Sequence, residues 1–210
     1  MIAANRHAPY RYLAIEGPIG VGKTSLAERL GEWWSMRTLL ERPLDNPFLE
    51  RFYSDMPRYA LPTQLHFALQ RAEQQREAAK ALASGAMLVA DFITQKNDLF
   101  ARLTLPDDEL QLYQALAAQV FTAAPVTAPE FVIYLRASPP TLMARIQGRA
   151  RPAEQRITDT YLRKLSDAYD EFFCHYDESP VLTVNTDPLN PLDSVADLAL
   201  IAERVEMTRP

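Results

Sequence analysis

Gly17-Pro18-Ile19-Gly20-Val21-Gly22-Lys23-Thr24 meets the pattern G-x-x-x-x-G-K-[ST] at every fixed position. Glycines at this spacing let backbone N–H groups turn inward around a phosphate. A helix starting at the end of the motif aims its positive end at the same anion. Lys23 is placed to reach the outer phosphates of a nucleotide, and the Thr24 hydroxyl to hold Mg²⁺. Three further groups have chemistry to offer. Glu41, in the apolar run Thr38–Arg42, is a carboxylate suited to take the proton of an attacking hydroxyl. Asp91 closes the run from Met87 and suits Mg²⁺, directly or through water. Arg145, Arg149, Arg151 and Arg156 cluster in one short stretch, and planar guanidinium groups meet phosphate oxygens in pairs. Such a stretch reads as a flap that closes over ATP and keeps water out.

Tyr53, Gln64, Phe67 and Phe92 offer stacking faces and one two-way hydrogen-bonding amide, a combination that suits a nucleobase. His66 and His175 have no metal-ligand partners at useful spacing, so no zinc site is expected. Cys174, the only cysteine, reads as a half-buried filler among Phe172, Phe173 and Tyr176. One cysteine excludes an intramolecular disulfide and fits a reducing, cytoplasmic setting.

Positioning these groups requires strands that deliver them to one edge. Tyr10–Glu16, Thr38–Arg42, Met87–Asp91, Phe131–Leu135 and Val181–Val184 are short, apolar and strand-like. Helical patterns lie between them: Ser25–Leu30, a short one opened by Asn46-Pro47, Leu61–Ala83 closed by Gly85, Asp107 to about Ala123, one capped by Ser138-Pro139-Pro140 and running to about Arg149, Thr158–Tyr176 and Pro191–Met207. Strands alternating with helices predict an α/β fold, a parallel sheet of about five strands covered by helices on both faces. Ligands of such sheets bind at the carboxyl ends of the strands, where the motifs above fall. The 210 residues read as one domain, with a flap over about 149–157. A net charge of −5 argues against a broad nucleic-acid or membrane surface, and no apolar run is long enough to span a bilayer. Met1–Pro9 lacks a secretory core and reads as a lead-in.

Taken together the motifs resemble a known family, the bacterial deoxynucleoside kinases of the deoxyadenosine/deoxyguanosine kinase type, which have the three-layer P-loop kinase fold. The likeness runs from about Tyr12 to Asp187. Besides the phosphate loop it rests on Glu41-Arg42-Pro43-Leu44-Asp45-Asn46-Pro47-Phe48-Leu49, Phe52-Tyr53-Ser54-Asp55 and Arg58-Tyr59-Ala60-Leu61-Pro62-Thr63-Gln64. It continues through Asp91, Arg149-Ala150-Arg151-Pro152-Ala153-Glu154 and Tyr176-Asp177-Glu178-Ser179-Pro180 to Val184-Asn185-Thr186-Asp187. The resemblance implies ATP-dependent phosphorylation of a deoxynucleoside 5′-hydroxyl, purines favoured, as a salvage step, by a cytoplasmic homodimer packed through helices. It implies Glu41 as the base, Tyr53 and Glu154 at the sugar 3′-hydroxyl, and Gln64 on the base edge. Arg149 and Arg151 fall on the phosphates and Asp91 near Mg²⁺. Relatives often follow that acid with Arg and Ser. Here Phe92 and Ile93 stand instead, so Lys96 or an arginine from elsewhere supplies the charge, or the site works without it. Two other readings remain: a nucleoside-monophosphate kinase such as a thymidylate kinase, with Arg42 or Arg58 on the acceptor phosphate, and a nucleotide-dependent switch or regulatory ATPase. Against the switch, N-K-x-D and D-x-x-G signatures are missing.

Overall fold

A computed structural model describes residues 7–123 and 127–208, so most of the Met1–Pro9 lead-in lies outside the described residues. Strands β1 (Tyr12–Glu16), β2 (Arg37–Leu39), β3 (Leu88–Ala90), β4 (Phe131–Arg136) and β5 (Val181–Asn185) form one sheet in the order β2-β3-β1-β4-β5. Every pairing is parallel, with Leu13 opposite Phe131 and Tyr12 opposite Leu88.

Successive side chains of a strand point to opposite faces, and the two faces bury different helices. Leu13, Ile15 and Val89 share a core with Leu26, Leu30 and Trp34 of α1 (Lys23–Trp34) and Leu198, Ile201 and Val205 of α8 (Val195–Met207). On the other face, Tyr12, Leu88 and Ala90 pack on Ala78 and Ala81 of α3 (Met56–Ala83). Ala14 and Val132 meet Phe172 and Phe173 of α7 (Asp159–Cys174) there. The remaining helices are α2 (Leu49–Ser54), α4 (Lys96–Thr104), α5 (Asp107–Thr122) and α6 (Pro139–Gly148), with 3₁₀ turns at Pro43–Asp45 and Pro152–Arg156.

The parallel sheet and its two helical layers are as the sequence predicts. Several details differ. β2 stops at Leu39, so Glu41 lies two residues past its end. Helix α3 begins five residues before Leu61 and carries Pro62 inside it. Asn46 caps differently from expectation: its Oδ1 accepts from Phe48 N at 3.0 Å, and α2 begins only at Leu49. Helix α4, only nine residues long, is an element the sequence patterns above do not predict. Cys174 is exposed rather than half-buried. The buried face of α7 is Tyr161, Leu162, Leu165 and Tyr169, and Cys174, five residues on, lies about 140° round the helix from Tyr169.

Candidate active site

A cavity of about 590 Å³ opens where β1 and β3 end and the chain leaves β2. Ile19, Gly20, Gly22, Lys23 and Thr24 line one end. Gly17 cannot carry a side chain: a Cβ there would fall 2.3 Å from the Leu135 carbonyl oxygen on β4. Gly20 and Gly22 sit at φ +87 and +105, which glycine alone adopts freely. Gly22 is also the N-cap of α1 and offers it no side chain, so the first backbone N–H groups of that helix keep their capacity for an anion. Lys23 Nζ donates to the carbonyls of Gly17 at 2.7 Å and Pro18 at 3.1 Å, leaving its third N–H for a phosphate. Burial, then the nearby Lys96 ammonium, pulls its pKa down to about 8.

Glu41 is held from both sides by glutamines. Gln74 Nε2 donates to Leu40 O at 2.7 Å and Gln70 Nε2 to Arg42 O at 2.9 Å, both from α3. Glu41 N itself donates to Asp91 Oδ1 at 2.6 Å. Its carboxylate meets two cations. Arg71 reaches Oε1 with Nη2 at 2.6 Å and Nε at 3.1 Å, and Lys96 Nζ lies 2.7 Å from Oε2. Burial alone would raise the Glu41 pKa, but Lys96, Arg71 and Lys23 bring it to about 2.

Asp91 Oδ2 accepts from Thr24 Oγ1 at 2.5 Å. A hydroxyl and a carboxylate this close, both hard oxygen donors beside the phosphate loop, fit Mg²⁺, which takes few protein ligands and completes its shell with phosphates and water. Burial first, and the Glu41 charge second, push the Asp91 pKa up to about 6. The folded chain therefore binds this proton more tightly than the unfolded chain does, and a cation must displace it at acid pH. The thermal stabilisation given by millimolar MgCl₂ is expected to be full at pH 7.5. Below pH 6, apparent Mg²⁺ affinity should fall by about tenfold per unit. Melting curves across pH 5–8 check this, and a shift independent of pH would contradict it.

The end of the cavity away from the phosphate loop is aromatic. Gln64, Phe67 and Arg71 line it from one face of α3, with Tyr53, Phe52 and Phe100 around them. Gln64 is almost fully buried, and its Nε2 donates to Thr104 Oγ1 at 3.4 Å. Burial, with Tyr161 and Glu154 nearby, holds the Tyr53 phenol well above its ordinary pKa. Over the cavity, Arg149 grips Glu154 Oε2 with Nη2 at 2.6 Å and Nε at 2.7 Å, and Arg151 lies 3.6 Å from the other oxygen. Ala150 between them takes φ +50. Arg156 closes the same stretch onto α2 by donating to Ser54 Oγ.

Two expected site residues are elsewhere. Phe92 is fully buried among Tyr12, Leu39 and Ala78, because alternation after β3 turns it to the opposite side from Asp91; Phe100 lines the cavity instead. Phe92→Ala is expected to cost about 3–5 kcal/mol of stability with substrate KM unchanged, measured by urea unfolding and steady-state kinetics. Arg145 does not line the cavity. It braces the phosphate loop from behind, donating to Val21 O at 3.3 Å and to Thr186 Oγ1 and O at 2.9 and 2.7 Å. Gly17, Pro18 and Val21 likewise shape the loop without lining the cavity. Arg71, which the sequence reading missed, had a signal: it lies seven residues from Gln64 and four from Phe67, on one helical face.

Comparison with known proteins agrees with this geometry. A family model described as deoxynucleoside kinase matches residues 13–207. The deoxyguanosine kinase of Bacillus subtilis (strain 168) is 33% identical over 200 residues, covering 93% of this chain and 96% of its own. The deoxyadenosine kinase of Dictyostelium discoideum is 30% identical over 83% of this chain and 71% of its own. Among solved structures, deoxyadenosine kinase from M. mycoides with bound dATP superposes with a TM-score of 0.79 at 22% identity, over 92% of this chain and 97% of that one. A phosphate loop and a strand-end carboxylate facing one cavity, matched along nearly the whole chain, place this protein in the deoxynucleoside kinase family.

Proposed function

We propose that the protein transfers the γ-phosphoryl group of ATP to the 5′-hydroxyl of a purine deoxynucleoside, giving the 5′-monophosphate in nucleotide salvage. The observation that carries this is Glu41 beside the phosphate loop in the same cavity as Gln64 and Glu154. In this reading Glu41 accepts the hydroxyl proton, Tyr53 and Glu154 take the 3′-hydroxyl, and Gln64 pairs with the base edge between Phe67 and Phe100. Lys23, Arg149 and Arg151 hold the transferred phosphoryl, while Arg145 keeps the loop in shape. Thr24 and Asp91 would hold Mg²⁺, which would supply positive charge to the nucleotide phosphates. The barrier falls by positioning and electrostatics. A purine preference is supported by the names of the relatives.

The monophosphate-kinase reading needs a second phosphate site. Arg42 pairs with Asp45 and Glu73, Arg58 lies over Tyr59, and neither lines the cavity. A homodimer is supported by exposed Leu69 on α3 and by exposed Leu112 and Leu116 on α5. Light scattering tests it. The reading puts the enzyme in the cytoplasm, where ATP and free nucleosides meet; among the described residues no helix is long and apolar enough to cross a membrane. The deciding experiment is ATP turnover, with product identified, on deoxyadenosine, deoxyguanosine, deoxycytidine, thymidine and their monophosphates. Phosphorylation of a purine deoxynucleoside is expected; turnover of monophosphates alone would overturn the assignment.

A further inference from the structure

Two cations hold Glu41, and they are not equivalent. Arg71 gives Oε1 two hydrogen bonds and commits its remaining nitrogen to Asn97 Oδ1, so Oε1 has no lone pair left. Oε2 receives one bond, from Lys96, and keeps one lone pair. Lys96 comes from the first residue of α4 and is itself buried, with Nζ 5.8 Å from the Phe100 ring centroid. On its other side stands Glu16, at the end of β1 and 3.5 Å away. Glu16 is fully buried and cannot move: Gly17 N and Tyr169 Oη donate to Oε1 at 2.9 and 3.0 Å, and Ile93 N donates to Oε2 at 3.0 Å. Glu16 immediately precedes the phosphate loop. Lys96 therefore ties the strand that carries the phosphate donor to the carboxylate on the acceptor side.

We infer that Lys96, anchored by Glu16, is the positioning cation of the reaction, and that it makes Oε2 of Glu41 the atom that takes the proton. The inference rests on the kinase reading above. As the acceptor oxygen bonds to the γ-phosphorus and the bond to the leaving ADP oxygen breaks, the hydroxyl proton passes to Oε2. The ammonium of Lys96 gives one donor to Glu41 and feels the charge of Glu16 at 3.5 Å. A further N–H remains for the phosphoryl oxygen drawn toward the acceptor. Arg71, tied to both Glu41 and Asn97, holds the carboxylate in place.

The test compares wild type with Lys96→Met, Lys96→Gln and Lys96→Arg. It measures kcat, KM for ATP and deoxynucleoside, the calorimetric Kd for deoxynucleoside alone, and the melting midpoint. Lys96→Met and Lys96→Gln are expected to lose on the order of 10²-fold in kcat, with both KM values and Kd within about threefold of wild type. Lys96→Arg should recover roughly tenfold of that loss. Should the methionine variant not fold, the glutamine variant, which keeps a donor to Glu41 but no charge, decides. Uncharged variants within threefold of wild-type kcat overturn the inference. So does a loss that appears in KM and melting midpoint as much as in kcat, or one that arginine does not relieve. A wild type that phosphorylates no deoxynucleoside overturns the kinase reading and takes this inference with it, whereas active wild type with active uncharged variants removes the inference alone.

Discussion

Glu41→Gln is expected to lower kcat by about 10²–10⁴-fold while KM for ATP stays nearly constant. The substitution removes the carboxylate proposed as base and also disturbs its setting. A glutamine amide has one oxygen, so either Arg71 or Lys96 must face an N–H₂ group where it now meets a carboxylate oxygen. Two buried cations then share less negative charge, and stability should fall by about 3 kcal/mol. The pH profile separates the two effects. The Glu41 pKa is depressed in the folded state, to about 2, so its contribution to stability is present above its ordinary carboxylate value and is lost as pH falls from about 4.5 toward 2. The variant should lack that part of the acid transition. Steady-state kinetics with acid unfolding of both proteins checks this, and a variant with wild-type kcat would remove Glu41 from the chemistry.

Lys23→Met is expected to have the second large effect, about 10²–10³-fold in kcat with a raised KM for ATP and an unchanged Kd for the deoxynucleoside. The reason is local. Methionine keeps the length of the side chain but gives up both carbonyl contacts to Gly17 and Pro18 and the donor left for the phosphates. Wild-type activity should also decline as pH rises through about 8, because the lysine loses its charge there before nucleotide binds. In the variant that alkaline limb should disappear, leaving residual activity flat across pH 7–9. An alkaline limb that persists in the methionine protein would assign it to another group.

Sequence alone was enough for the phosphate loop, the sheet and the two carboxylates that end apolar runs, Glu41 and Asp91; Glu154 came only from the family resemblance. These are local matters: glycine spacing sets the loop's backbone, apolar runs of strand length set the sheet, and a parallel sheet gathers strand ends on one edge. Even α3 was mostly legible, from a long stretch with few breakers. Tertiary structure alone decided which cations serve Glu41. Arg71 and Lys96 are 30 and 55 residues away in the chain and meet it only because α3 and the start of α4 pack beside the end of β2. It likewise decided that Phe92 belongs to the core and Phe100 to the cavity wall, since which way a residue faces just past a strand depends on how the chain turns there. Arg145 looked like one of a set of four phosphate arginines. Its reach to Thr186 comes from β5 lying next to β4, and a pairing between strands about 50 residues apart leaves no periodic trace in the sequence.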